Sequence, residues 1–210
     1  MKVGIGFVNK QNAPYAGQEA THQALQRGRI TRSDLVLAFC SGKVDAEGFF
    51  RDIQSIVGAD APIVGGSAIG TITNAVISYA GAPAGVLIMQ AEELHYSVAA
   101  TGAVDVDEYQ AGQTLVKQLG HNSDDARNAG DALLLLFYDS VKQPATQTSP
   151  PVMNASPPLI HGITEIWEIP IPILGAGLLG DYNFPQFCGQ PACGRHPVLR
   201  RHSTLSNPWP

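Results

Sequence analysis

Long apolar runs, cysteines and charged side chains are all scarce in this sequence. No apolar run approaches the roughly 20 residues that a membrane-spanning helix needs, and residues 1–7 are too short and too glycine-rich for a signal peptide. Three cysteines are too few for a disulfide framework. Charged residues make up 15% of the chain and the net charge is −5, which argues against a nucleic-acid-binding groove. We therefore expect a cytoplasmic protein that binds neither membrane nor nucleic acid.

Glycine, in contrast, is abundant, and one glycine-rich stretch organises the chain. In residues 62–70 three apolar residues run into Gly65 and Gly66, which Ser67 and Gly70 follow. The pattern predicts a short buried strand that leads directly into a glycine turn. Glycine permits positive φ and lets another group approach the backbone closely.

The same device recurs later in the chain, in residues 172–180. Gly65 plus 110 is Gly175, and Gly70 plus 110 is Gly180. The offset of 110 also aligns two apolar helical stripes, which are Phe49, Ile53, Ile56, Val57 and Leu159, Ile163, Ile166, Trp167. Phe39 plus 98 is Phe137, so the 12 extra residues (110 − 98) fall in the loop 142–152. We interpret the chain as an internal duplication with halves at about 1–100 and 101–187.

Hydrophobic periodicity predicts the order of elements within these halves. Helices are expected at residues 14–28, 45–57, 106–119 and 156–167, with Gly28 as a C-cap and with Asp45 and Ser156 as N-caps. Strands are expected at residues 3–8, 35–40, 62–66, 75–79, 85–90, 94–100 and 131–138. A hairpin turn at 81–83 is expected to join the strands 75–79 and 85–90.

This order predicts an α/β fold of two related strand–helix–strand–helix–strand halves. The sheet is expected to be mixed, and the alternative arrangement is a two-sheet sandwich with outer helices.

The C-terminal segment departs from the repeat. Residues 188–210 are rich in proline, glycine and arginine and have no alternating apolar pattern that could supply the strands of a second hairpin. We predict one domain over residues 1–187 followed by an irregular tail, and we interpret that tail as the end of a truncated or frame-shifted product.

Four stretches in order carry a family resemblance: Gly4-Ile5-Gly6-Phe7, Ala16-Gly17, residues 34–39 and residues 65–70. Together they resemble the N-terminal part of the FIST domain, a bacterial and archaeal sensory module of signal-transduction proteins, over about residues 3–184. The resemblance implies binding of small molecules, with amino acids as candidates, and no catalysis. Some members resemble haem-containing nitric-oxide sensors that act with a histidine kinase, so haem and a histidine kinase partner form the alternative.

The glycine turns are the candidate ligand site. Their backbone N–H groups could bind an anion such as a carboxylate, but the turn lacks the Gly-Lys-Ser/Thr ending of a phosphate-binding loop. A tight turn with close packing explains the same glycines equally well. The predicted ligand-binding residues are Gly65, Gly66, Ser67, Gly70, Gly4 and Gly6.

Other reactive side chains support rival hypotheses. A hydrolase or transferase would use Cys40 or Ser67 as its nucleophile, although the apolar neighbours of Cys40 indicate a core residue. The zinc-ligand candidates, whose spacing is irregular, are Cys188, Cys193, His196 and His202. The haem-ligand candidates, each of which also suits a helix surface, are His22, His95, His121 and His161.

Overall fold

A computed structural model describes residues 1–10, 15–92, 96–119, 132–167 and 171–179 of the chain. Its helices are α1 Ala16–Gly28, α2 Ala46–Val57, α3 Glu108–Leu119 and α4 Ser156–Ile166. Its strands are β1 Lys2–Asn9, β2 Leu35–Ser41, β3 Ile63–Ala68, β4 Thr71–Ile72, β5 Ile77–Ser78, β6 Pro83–Gln90, β7 Leu134–Asp139, β8 Val141–Gln143, β9 Val152–Met153 and β10 Ile173–Leu178. Within these residues no helix is both long enough and apolar enough to cross a membrane.

The main sheet has four strands in the order β1-β6-β2-β3 and is mixed, as expected. β6 is antiparallel to both β1 and β2, and β2 is parallel to β3. A second sheet pairs β7 with β10 in parallel. The predicted α/β class is therefore confirmed.

β2 carries apolar side chains on both faces, as expected for a strand that other parts of the protein cover on both sides. Val36, Ala38 and Cys40 belong to the core under α1 and α2. Phe39 lies on the opposite face of β2. It packs edge-to-face against Phe137 of β7, with ring centroids 5.1 Å apart. This contact joins the two sheets on the faces that lie away from their helices, as the sandwich alternative predicts.

Helix α1 packs unusually close to β1 because two glycines make room for it. A Cβ on Gly4 would lie 1.9 Å from the carbonyl oxygen of Ala24, and a Cβ on Gly6 would lie 1.8 Å from that of Ala20. The facing helix stripe is also made of small residues, and Ala20 and Ala24 are fully buried. The glycines of β1 therefore serve helix packing.

The two halves repeat several close contacts at the offsets found in the sequence. Gly65 lies opposite Ala38 in the β2–β3 pair, and Gly175 lies opposite Leu136 in the β7–β10 pair. In both pairs a Cβ on the glycine would lie 1.7 Å from the facing carbonyl oxygen. The two glycines therefore make the same kind of contact, while the internal duplication stays a prediction.

The helix pairs repeat in the same way. Gly17 of α1 lies against the backbone of Phe49 in α2, and Gly112 of α3 lies against that of Leu159 in α4. The distances from a built Cβ to the facing carbonyl oxygen are 2.5 Å and 2.3 Å. Close helix crossing in both halves thus depends on a glycine at the equivalent position.

The predicted pairing of residues 75–79 with residues 85–90 is wrong. β5 pairs with β4, and β6 instead lies between β1 and β2. Gly81 has a φ of 82°, and the side chain of Asn9 accepts a hydrogen bond from Ala82 N at 2.9 Å. The chain therefore leaves the hairpin at Gly81 and enters the sheet there. The real turn is closed by Thr73 and Val76. It contains neither glycine nor proline, so it lacks the two residue types that mark turns most strongly.

Three smaller expectations also need correction. Residues 96–100 of the predicted strand 94–100 are irregular and partly exposed, while residues 93–95 lie outside the described part. Helix α1 includes Gly28 and is capped by Arg29, whose φ is 49°. Helix α4 already includes Ser156, so Ala155 is its N-cap. The predicted tail 188–210 also lies outside the described residues.

An ion pair ties α3 to β8 in the second half. Lys142 Nζ lies 2.9 Å from Glu108 Oε1, and that oxygen also accepts a hydrogen bond from Ala155 N at 3.2 Å. The hydrogen bond from Lys142, followed by those from backbone N–H groups, lowers the pKa of Glu108 to about 2. A carboxylate with a lowered pKa stabilises the fold above its unfolded-state pKa, and this contribution is lost as the pH falls through the folded-state value.

We predict that Glu108→Gln lowers the melting temperature at pH 7, and that the difference from the wild type shrinks between about pH 4.5 and pH 2. Thermal unfolding followed by circular dichroism across this range checks the prediction. Glu19→Gln, which breaks the more exposed pair with Lys10, is the control and should have a smaller effect at pH 7. A difference for Glu108→Gln that does not change with pH would contradict the assignment.

Candidate ligand-binding site

The glycines predicted to form one site lie in separate parts of the sheet. β6 and β2 lie between β1 and β3, so Gly4 and Gly6 do not meet Gly65. Backbone atoms of α1 fill the approach space at Gly4 and Gly6, and backbone atoms of β2 fill it at Gly65. The close approaches that these three glycines allow are thus made by the protein itself.

The remaining residues of the predicted site form the end of β3. A Cβ on Gly66 would lie 2.7 Å from Cδ1 of Leu178, and one on Gly70 would lie 2.5 Å from the ring of Tyr79. Ser67 is buried and lies opposite Cys40 in the β2–β3 register. This end of the sheet therefore brings Gly66, Ser67 and Cys40 together, under side chains of the same chain.

Cys40 has the properties of a core thiol. Its side chain is 2% exposed, and burial raises its pKa to about 11 despite a hydrogen bond with Ser67. The cavity beside it has a volume of only about 20 Å³. A thiol in this environment is protonated at neutral pH and is a poor nucleophile.

We predict that Cys40 resists alkylation by iodoacetamide at pH 7 in the folded protein and reacts once the protein is unfolded in urea. Mass-spectrometric peptide mapping checks this residue by residue and separates Cys40 from Cys188 and Cys193. Rapid modification of Cys40 in the folded protein would instead support the nucleophile hypothesis.

An open cleft of about 480 Å³ lies at the opposite end of β2 and β3, where α1 and α2 end. We call it the helix-end cleft. Its lining consists of Leu25, Ile30, Thr31, Arg32, Ser33, Asp34, Ile56, Val57, Asp60, Ala61 and Tyr96. Its volume lies within the range of about 300–1,000 Å³ that is typical of ligand pockets.

The rim of the cleft is held by an arginine–aspartate pair. Arg32 Nε lies 2.6 Å from Asp34 Oδ1, and Arg32 Nη2 lies 3.1 Å from Asp34 Oδ2. Asp34 also accepts a hydrogen bond from Ala91 N at 2.8 Å. The hydrogen bonds from Arg32 and Ala91 lower the pKa of Asp34, so it stays ionised. Asp34 N also donates a hydrogen bond to Met89 O of β6 at 2.9 Å, so Asp34 holds the guanidinium of Arg32 beside the end of β6.

The floor and the helix ends give the cleft a mixed character. Leu25 of α1 and Ile56 and Val57 of α2 supply apolar surface. The C-terminal ends of both helices carry partial negative charge, and Asp60 adds a carboxylate. Among the described residues of the lining, positive charge comes from Arg32, which is paired with Asp34. The cleft thus combines one guanidinium, held by Asp34, with partly negative helix ends and apolar side chains.

Sequence reasoning did not find this cleft. Its lining comes from two helix-to-strand connections, residues 29–34 and 58–62, that are distant in sequence. One sequence feature could have indicated a site here: an aspartate stands shortly before each of two parallel strands, Asp34 before β2 and Asp60 before β3. Ile56 and Val57, predicted as core residues, are only partly buried because they face the cleft.

Two of the predicted haem-ligand residues can be placed. His22 is exposed on α1, and His161 is exposed on α4, where its ring lies 5.5 Å from that of Tyr109. Where the chain is described, no three His, Cys, Asp or Glu residues form a group that could hold a metal ion. His95, His121 and the predicted zinc ligands lie outside the described ranges.

The fold and the helix-end cleft define an α/β domain with a ligand-sized cleft. The sequence matches the FIST N domain family over residues 34–202, and the chain belongs to that family. Domains of this family are sensory domains for small ligands in signalling systems. A search of curated proteins returned no match.

Proposed function

We propose that this chain is the ligand-binding sensory domain of a signal-transduction protein and that it binds an amino acid in the helix-end cleft. The observation that carries the proposal is that one cleft of suitable volume combines a guanidinium, the C-terminal ends of two helices and apolar side chains. The role is that of a sensor and not of a catalyst, with a histidine kinase or another signalling protein as the partner in a bacterial cytoplasm.

Each part of an amino acid has a counterpart in the cleft. Arg32 has more N–H donors than Asp34 accepts from, and its side chain is 60% exposed, so it can bind a carboxylate. The carbonyl ends of α1 and α2 carry partial negative charge and favour an ammonium group. Leu25 and Val57 provide apolar surface for the ligand side chain.

Calorimetric titration with a panel of amino acids tests the proposal. We expect at least one amino acid to bind, and we expect Arg32→Gln to weaken that binding by about tenfold or more, because a charge-assisted hydrogen bond is lost. Arg51→Gln, which changes an exposed arginine on α2 outside the cleft lining, is the matched control and should leave the affinity unchanged. Binding that Arg32→Gln does not affect would exclude the cleft as the site.

The end of β3 is the second candidate site, with Gly66, Ser67 and Gly70. If the ligand binds there, Ser67→Ala should weaken binding by about 1 kcal/mol. A cleft-bound ligand predicts no change. The two variants Ser67→Ala and Arg32→Gln therefore assign the ligand to one end of the sheet.

Haem is the alternative ligand. Among the described residues that line the helix-end cleft there is no histidine, and His95, which precedes the lining residue Tyr96, lies outside the described ranges. Titration of the protein with haem, followed by absorbance spectroscopy, separates the alternatives: a Soret band typical of a ligated haem would favour a gas sensor over an amino-acid sensor.

A further inference from the structure

β1 forms one edge of the main sheet and has the features that favour pairing with a further strand. In the order β1-β6-β2-β3 it is paired with a described strand on its β6 side alone. It runs for eight residues, Lys2–Asn9, in unbroken register with β6. Natural edge strands are commonly protected by charge, by proline or by a bulge. Residues 3–9 contain no charged residue and no proline, so the strand itself carries none of these protections there.

Two backbone groups on the outer edge of β1 are bonded to side chains of α1. In an antiparallel pair, the backbone N–H and C=O groups of every second residue point away from the partner strand. Phe7 N donates a hydrogen bond to Gln23 Oε1 at 3.2 Å, and Ile5 O accepts one from Arg27 Nη1 at 3.2 Å. The side chains of α1 therefore take a donor and an acceptor that a neighbouring strand would use.

The side chains that reach this edge form a row along α1. Gln23 and Arg27 are four residues apart, so they lie one above the other on the same side of the helix. Glu19 precedes Gln23 by another four residues, and its Oε2 lies 2.8 Å from Nζ of Lys10 just beyond the end of β1. We call Glu19, Gln23 and Arg27 the edge row. The row follows the outer edge of β1 over much of its length.

The close packing of α1 on β1 brings the edge row within reach of the strand. Gly4 and Gly6 face the helix, so Val3, Ile5 and Phe7 lie on the other face of β1, because side chains alternate along a strand. Val3 is 41% exposed. Cross-strand pairs of such apolar and aromatic side chains stabilise pairing between strands. The side chains of β1 thus favour a further strand, and the edge row stands in its way.

We propose that the edge row keeps β1 from pairing with β1 of a second copy of this chain. A second copy is the strand that accumulates whenever the protein itself does, and one edge can pair with its own copy antiparallel about a twofold axis. Such a strand must first displace the hydrogen bonds of Gln23 and Arg27. The inference does not depend on the ligand, since no member of the edge row lines the helix-end cleft.

Sedimentation velocity of the full chain at a series of concentrations tests the proposal. The double variant Gln23→Ala/Arg27→Ala is expected to raise the association constant by about tenfold or more over the wild type, because both edge groups become available to a second copy. Alanine is the best helix former, so α1 should remain folded, which circular dichroism checks. Arg51→Ala/Gln54→Ala is the matched control. It removes the same two residue types from α2 and should leave the association constant unchanged.

A lysine on the edge strand shows whether the new contact uses β1. Adding Val3→Lys to Gln23→Ala/Arg27→Ala places a charge at the edge and should return the association constant to that of the wild type. Association that Val3→Lys does not reverse would place the contact elsewhere and overturn the proposal. A Gln23→Ala/Arg27→Ala variant that associates no more than the wild type, or no more than the α2 control, would overturn it as well.

Amide hydrogen exchange at Phe7 gives a second test on a single, milder substitution. In dilute Gln23→Ala the amide of Phe7 has lost its acceptor and should exchange about tenfold faster than in the wild type. At high concentration the exchange should slow again as β1 pairs with a second copy. Exchange in Gln23→Ala that does not depend on concentration would contradict the proposal.

Discussion

Replacing Gly65 by alanine is expected to destabilise the protein by about 4 kcal/mol. The new Cβ would lie 1.7 Å from the carbonyl oxygen of Ala38 on β2, an atom of the central strand that cannot move aside alone. Gly65 also has a φ of 153°, a backbone conformation that side chains other than glycine rarely adopt. Strain and overpacking therefore add, and the sum is a large part of the 5–15 kcal/mol by which domains are usually stable.

Urea unfolding of the wild type and Gly65→Ala measures this loss. Gly102→Ala is the control, because a Cβ there meets no atom within 4 Å, and it should change the free energy of unfolding by less than about 0.5 kcal/mol. Gly175→Ala should resemble Gly65→Ala in direction, since its Cβ would also lie 1.7 Å from a facing carbonyl oxygen. Equal stability of Gly65→Ala and Gly102→Ala would refute the packing role.

A second large effect is expected at the contact between α1 and β1. Gly6→Ala would place a Cβ 1.8 Å from the carbonyl oxygen of Ala20. Ala20 is fully buried in the middle of α1, so relief requires the whole helix to move off the sheet. We expect a loss of about 3 kcal/mol, the upper end of the usual cost of overpacking a core.

The same unfolding experiment measures the effect of Gly6→Ala, and amide hydrogen exchange locates it. Protection should fall first in α1 and β1. If Gly6 were a ligand-contact residue instead, alanine would reduce ligand affinity while leaving the free energy of unfolding unchanged, and that outcome would contradict the packing role.

The sequence was most informative where buried apolar periodicity is strong. The continuous apolar run of β2 and the stripe of Phe49 and Ile53 in α2 predicted a strand and a helix, and the structure confirms both. Asp45 was correctly predicted as an N-cap, because its side chain accepts a hydrogen bond from Glu47 N. Local patterns of this kind depend on neighbours in the chain and can be read without knowing the fold.

Pairing and site geometry were less accessible because they depend on residues that are distant in sequence. The hairpin partner of β5 was predicted wrongly, since Gly81-Ala82-Pro83 resembles a turn while the real turn at Thr73 carries no such signal. Glycine has two uses, and the sequence alone could not separate ligand contact from close packing at Gly4 and Gly6. The helix-end cleft forms only when the connections after α1 and α2 come together.

One measurement tests the central claim most directly: mapping an amino-acid ligand onto the protein by two-dimensional ¹H–¹⁵N NMR. We expect titration with the tightest-binding amino acid to shift the amide signals of Arg32, Asp34 and Ala61 around the helix-end cleft. The signals of Gly66 and Ser67 at the other end of the sheet should stay in place. Shifts concentrated at Gly66 and Ser67, with the cleft unaffected, would contradict the account and assign the ligand to the glycine turn.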